Sequence, residues 1–100
     1  MPMKIAHIVS RLKACEATIR AEGVEHLSIF GSRARGNFTA NSDIDVLVEL
    51  APGTRFSLLN LSGVGLIVED ATGLPSQVIL KRSAPPQFLA RIADDIVSVF

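Results

Sequence analysis

The sequence has little of what would place it in several large classes of protein. Its single cysteine, Cys15, cannot form an intrachain disulfide and suits a reducing compartment. No charge is in excess. Ten Lys and Arg balance ten Asp and Glu, which removes the basic signature of a protein that grips nucleic acid by its phosphates. No apolar run has the length to cross a bilayer, and the strongest, Leu58–Val68, is short and interrupted. The first residues lack the apolar core and small-residue cleavage site of a secretion signal. Internal repeats and low-complexity tracts are missing too. What remains is 100 residues, 48% of them hydrophobic, enough to bury roughly two-thirds of the unfolded surface without metal or disulfide staples. The expectation is a single α/β domain over residues 1–100, soluble and cytoplasmic.

Apolar periodicity divides the chain. Ile5, Ile8, Val9, Leu12, Cys15 and Ile19 recur at three- and four-residue spacing, predicting one amphipathic helix over Met3–Glu22. Pro2 suits its first turn and Gly23 its left-handed stop. Leu27–Phe30 reads as a short strand running into Gly31, and Arg33–Ser42 as a polar turn. Asp43–Leu50 alternates, with Ile44, Val46, Val48 and Leu50 on one face, and Pro52-Gly53 ends it. Phe56–Ala71 predicts a helix weakened by Gly63 and Gly65 and stopped by Gly73-Leu74-Pro75. Gln77–Lys81 is a third strand. Pro85 and Pro86 open a last helix, with Ser83 its candidate cap and Phe88, Leu89, Ile92, Ile96 and Val99 its apolar face. The order helix-strand-strand-helix-strand-helix is a two-layer α/β pattern: a short mixed sheet with helices on one face.

Two motifs carry chemistry. In Gly31-Ser32-Arg33-Ala34-Arg35-Gly36, a glycine at a strand end and a serine at a helix start turn backbone N–H groups and a hydroxyl toward an anion. It is not a Walker loop, because Asn37 and Phe38 follow where Lys and Ser or Thr are required. Alone, the hexapeptide reads first as an ordinary strand-to-turn junction. The second motif is Ser42-Asp43-Ile44-Asp45. Residues two apart on a strand project from one face about 6.5–7 Å apart at the backbone, so the two carboxylates can converge on one site. Such a pair repels, and a hard divalent cation, Mg²⁺ or Mn²⁺, relieves it with phosphate oxygens completing the shell. Alone, the pair reads equally as an exposed strand end. An EF-hand is excluded by Leu47 and the apolar strand. Together the motifs suit nucleoside triphosphate chemistry.

Gly-Ser, Arg-Gly, a spacer and Ser-Asp-Ile-Asp resemble the signature of the DNA polymerase beta-like nucleotidyltransferases, and in this length the minimal nucleotidyltransferases among them. The resemblance implies that Gly31 and Ser32 contact the triphosphate and that Asp43 and Asp45 are catalytic and hold Mg²⁺ or Mn²⁺. It implies attack by a hydroxyl on the α-phosphate of a nucleotide, with pyrophosphate leaving between two metal ions. It further implies ATP as donor and a small helical HEPN-family toxin as partner, with this chain as the antitoxin that transfers AMP to it. The chain departs from the pattern at one place. The family's third carboxylate follows a Leu-Gly-x-x-Val stretch, and here Gln77 stands in its position. Glutamine offers a neutral oxygen and cannot replace that charge. Glu49 shares the face of Asp43 and Asp45 but lies too far along the strand. Glu69 and Asp70 substitute only under a shifted alignment. An active enzyme and a weakened or inactive nucleotide-fold module that acts by binding a helical partner therefore both stay open, as does a homo-oligomer. Nucleic acid and membranes are not expected partners.

Other residues carry blander readings. His7 and His26 are surface residues without a second ligand at zinc spacing, and Cys15 is a buried, inert thiol. Gly63-Val64-Gly65 lacks the third glycine of a dinucleotide fingerprint, leaving close helix packing. Arg33 and Arg35 either neutralise phosphate or pair at the surface. Lys81 and Arg82 form a solvated strand end near the presumed site mouth. The apolar end Ile96–Phe100 is core or a partner surface.

Overall fold

The computed structural model describes residues 4–100; Met3, the expected helix start, and Pro2 in its first turn lie outside the described residues. Two helices, α1 (Ile5–Ala14) and α2 (Glu16–Ala21), replace the single helix expected over Met3–Glu22. Cys15 makes the joint. Its backbone, at φ −98° and ψ 10°, leaves the helical well, and its N–H donates to the Leu12 carbonyl at 3.0 Å. The periodicity hides this joint because both helices bury the same side, Ile8 and Leu12 from α1 and Ile19 from α2. Cys15 itself is half-buried, not the buried thiol expected.

Gly23, at φ 111°, turns the chain into β1 (Val24–Phe30), which begins at Val24 rather than Leu27. The expected polar turn starts as a helical turn, α3 (Gly31–Arg35). After a loop comes β2 (Ile44–Leu50), antiparallel to β1 with Phe30 opposite Asp45 and Ile29 opposite Val46. Helix α4 (Leu58–Thr72) then crosses to β3 (Ser76–Leu80), which lies parallel to β2. A capping box starts α4: the Ser57 N–H donates to Asn60 Oδ1 at 3.0 Å, and the Asn60 N–H donates to Ser57 Oγ. Gly73, at φ 71°, stops it as its sequence position predicts. Gly65 supplies the close packing expected of it, letting Ser76 Oγ donate to its carbonyl at 3.2 Å.

The chain's end departs from the expected helix. Helix α5 (Pro86–Ile92) is capped by Pro85 rather than Ser83, which lies in the 3₁₀ turn Lys81–Ser83. A second such turn, Ala93–Asp95, follows, and then β4 (Val97–Ser98) pairs antiparallel with β1. Val99 completes this edge by donating its N–H to the Leu27 carbonyl at 2.8 Å. Most of the apolar end is thus sheet edge and core, with Ile96 the exposed exception.

The sheet runs β3-β2-β1-β4, and its alternating side chains divide two packing regions. On one face Leu27, Ile29, Ile44, Val46 and Val48 meet Ile8, Leu12 and Ile19 from α1 and α2 and Val64 and Val68 from α4. The expected arrangement, helices on one face, describes these three. Helix α5 lies on the other side, where Phe88, Leu89 and Ile92 pack on Phe30, Leu47 and Ile79. Phe30 and Phe88 meet edge to face with ring centres 5.7 Å apart.

Candidate functional site

At one end of the second face, β1 runs out at Phe30 and β2 and β3 begin. Gly31 sits at the corner with φ 77°, a left-handed backbone that disfavours any side chain. Space forbids one as well. A Cβ here would run into the Asp45 carboxylate, with Asp45 Cγ only 3.2 Å away. Ser32 follows in the first turn of α3, half-buried, and Gly36 closes that turn at φ 84°. Gly31 is therefore brought against Asp45, with Ser32 next to it in the chain.

Asp45 is cross-strand neighbour to both flanking strands, opposite Phe30 of β1 and Gln77 of β3. Asp43 precedes the first residue of β2 and is exposed. Burial raises the Asp45 pKa above the ordinary carboxylate range, the Asp43 charge raises it further, and Arg35 pulls it back down. The two carboxylates thus feel each other, as their two-residue spacing predicts. Gln77 is exposed and stands opposite Asp45 in the parallel register of β2 and β3.

Among the described residues no group of three or more acids, histidines or cysteines is arranged to hold a metal ion. Asp43 and Asp45, two residues apart at the start of β2, are a pair of oxygen donors at this corner. Two adjacent hard carboxylates, one half-buried and held against its own ionisation, suit a hard divalent cation that keeps water and phosphate oxygens in its remaining positions. The donor set fits Mg²⁺ or Mn²⁺.

Several candidates are not brought to this corner. Glu69 Oε2 accepts from the Ser76 N–H at 3.0 Å and from its hydroxyl at 3.1 Å, pinning α4 to β3 from the other face. Asp70 is exposed on the same helix. Glu49 sits at the far end of β2, paired with Lys81 at 3.0 Å. Lys81 and Arg82 therefore stand at the opposite end of the sheet from Gln77, away from the mouth expected for them. His7 and His26 are exposed, as expected.

The two arginines of the glycine hexapeptide separate. Arg33 is 1% exposed and reaches neither surface nor anion. Arg35 is exposed, near enough to lower the Asp45 pKa, and its Nη1 lies 3.1 Å from Asp95 Oδ2. Asp95 was invisible to sequence reading. Only the unexpected β4, which returns alongside β1, brings it to α3.

The sheet order β3-β2-β1-β4, with its β2–α4–β3 crossover, sets Gly31 against Asp45 at one end of the sheet. The chain matches the family model of the nucleotidyltransferase domain over residues 8–98 and belongs to that family. A protein of Methanocaldococcus jannaschii, provisionally named a protein adenylyltransferase, is 39% identical over 77 residues, covering 77% of this chain and 81% of the relative. A solved structure provisionally described as a minimal nucleotidyltransferase superposes with a TM-score of 0.79 at 24% identity, covering 95% of each chain. Another, from a complex of a tri-AMPylated Shewanella oneidensis HEPN toxin with its MNT antitoxin, has a TM-score of 0.64 at 13% identity, covering 92% of this chain and 71% of the other. These two structural likenesses establish the fold.

Proposed function

We propose that residues 1–100 form one catalytic domain, a cytoplasmic, Mg²⁺- or Mn²⁺-dependent nucleotidyltransferase. It moves AMP from ATP to a hydroxyl of a partner protein, as the antitoxin of a toxin–antitoxin pair. The observation that supports this reading is the close approach of Gly31 to the Asp45 carboxylate, whose pKa the neighbouring Asp43 charge raises. The archaeal relative's name supports a protein acceptor, and the AMPylated toxin bound to a like-folded antitoxin supports a HEPN-type partner.

In this reading Asp43 and Asp45 hold the cation, and Ser32 donates its hydroxyl to a phosphate oxygen. Gly31 keeps the turn free of side chain, so that phosphate and Asp45 share one corner. Arg35 adds positive charge beside them. When bound, the cation neutralises phosphate charge and lowers the pKa of the attacking hydroxyl.

A second reading rests on one observation: Gln77, a neutral residue, is Asp45's neighbour on β3. With two carboxylates in place of three, nucleotide binds while transfer is slow, and neutralisation comes from the complex itself. One experiment separates them. The chain is co-expressed with the product of the adjacent reading frame, the complex is isolated by size exclusion, and labelled ATP is added with Mg²⁺. Label on the partner supports the enzyme. An intact complex that binds ATP without transferring label supports the binding module, and a chain that binds neither ATP nor partner refutes both.

A further inference from the structure

The largest fully buried side chain in the described structure is a charged one. Arg33 is 1% exposed, yet no carboxylate pairs with it among the described residues. Its Nε and Nη2 both donate to one acceptor, the Ser42 carbonyl, at 3.2 and 2.9 Å. Its guanidinium lies over the Phe38 ring, 4.4 Å from the centroid. Its Nη1 is buried without a partner among the described residues. A buried, incompletely satisfied cation is a costly feature.

What the guanidinium holds is the loop between the two halves of the site. Residues 37–42 join α3, which carries Ser32, to Asp43 immediately before β2, the strand that carries Asp45. Within that loop the Ser42 N–H donates to the Thr39 carbonyl at 3.1 Å, and the Thr39 N–H donates to Ser42 Oγ at 2.9 Å. The turn so formed hangs on Arg33 at its last residue, one position before Asp43. A planar fork that bonds edge-on and stacks face-on is a property of arginine that lysine lacks.

We infer that Arg33 is a positioning residue: it clamps the 37–42 loop through Ser42 and Phe38 and so fixes Asp43 beside Asp45 for cation and nucleotide. This rests on the reading of Asp43 and Asp45 as the cation pair. The clamp acts before any ligand arrives, because every contact it uses is internal.

The test uses the full chain, with Mn²⁺ binding in the presence of ATP followed by electron paramagnetic resonance of free Mn²⁺. Amide hydrogen exchange is read in parallel. Arg33→Lys is expected to weaken Mn²⁺ binding about tenfold and to speed exchange at Thr39 and Ser42, while Leu27 and Ile29 in β1 keep their protection. Ile19→Val lowers stability through the main core and is expected to leave Mn²⁺ affinity unchanged; an equal loss there would mean general loosening and overturn the clamp. Asp43→Asn judges the underlying reading. If Asp43→Asn loses Mn²⁺ and Arg33→Lys binds within twofold of the wild type, the clamp alone falls. If Asp43→Asn binds as well as the wild type, the site reading falls and takes the clamp with it. Should Arg33→Lys fail to fold, Phe38→Leu keeps the fork and removes the ring. It is expected to weaken Mn²⁺ about threefold, and unchanged affinity there overturns the inference.

Discussion

Asp45→Asn should make the metal-free protein more stable. Asp45 is half-buried, and its ionised form is opposed first by burial and then by the Asp43 charge, with Arg35 giving partial relief. Two unit charges about 6.5 Å apart repel by about 0.6 kcal/mol at the dielectric of water and about 2.5 kcal/mol at an effective dielectric of 20. Asp43 is exposed, so solvent screening favours the lower end, and losing the Arg35 attraction subtracts from it. A net gain of about 0.5–1 kcal/mol remains, worth roughly 2–8 °C in a domain of this size. The assay is thermal unfolding in EDTA at pH 7.5 and low salt. The sign is diagnostic, since substitutions at partly buried positions ordinarily destabilise. The gain should shrink as pH falls. A carboxyl whose folded pKa is raised binds its proton earlier in the folded chain, so its penalty is present at neutral pH and fades on acidification through the folded value. Added Mg²⁺ and ATP at a hundred times the dissociation constant should stabilise the wild type by about 2.7 kcal/mol and leave Asp45→Asn unmoved. A variant that melts below the wild type in EDTA would refute the electrostatic account of this corner.

Other outcomes follow from the same geometry. Gln77→Asp, beside Asp45 on β3, should raise AMP transfer to the partner measured with labelled ATP; a wild-type rate equal to the variant's would place the missing charge elsewhere. Ser32→Ala should weaken nucleotide binding by about 1.5–3 kcal/mol in calorimetry, the value of one charge-assisted hydrogen bond. Gly31→Ala must adopt a left-handed backbone and displace the Asp45 carboxylate. It should therefore lose at least about 1 kcal/mol of stability in urea unfolding and lose metal-dependent nucleotide binding as well. Ser57→Ala breaks the capping box of α4 and should cost about 1 kcal/mol in the same unfolding assay while nucleotide affinity stays the same.

How much of this was legible in the sequence depended on how local the cause was. The alternation of β2 and the stop at Gly73 follow from nearest-neighbour geometry, and both stand in the structure. The joint at Cys15 did not announce itself, because an apolar stripe continues across a kink whenever both halves bury the same side. Strand β4 was read as helix because five mostly apolar residues satisfy either period, and only pairing with β1 decides. Periodicity identified the apolar residues of α5 but not which side of the sheet they cover. Arg33 was hardest to foresee. Its burial is set by a carbonyl nine positions away and by the ring of Phe38, while composition alone places arginine at the surface.

The two-sided sheet has a consequence for how such a domain changes over time. Its main core lies with α1, α2 and α4 on one side, and the second cluster, around α5, is built from Phe30, Leu47, Ile79, Phe88, Leu89 and Ile92. Position 77 is open to solvent at a strand edge. Exchange of its side chain between acid and amide alters the charge at the corner while removing nothing from either core. Chemistry here can therefore drift with the packing intact, and a lineage that regains a charge at this position bears only its repulsion with Asp45 until a cation binds.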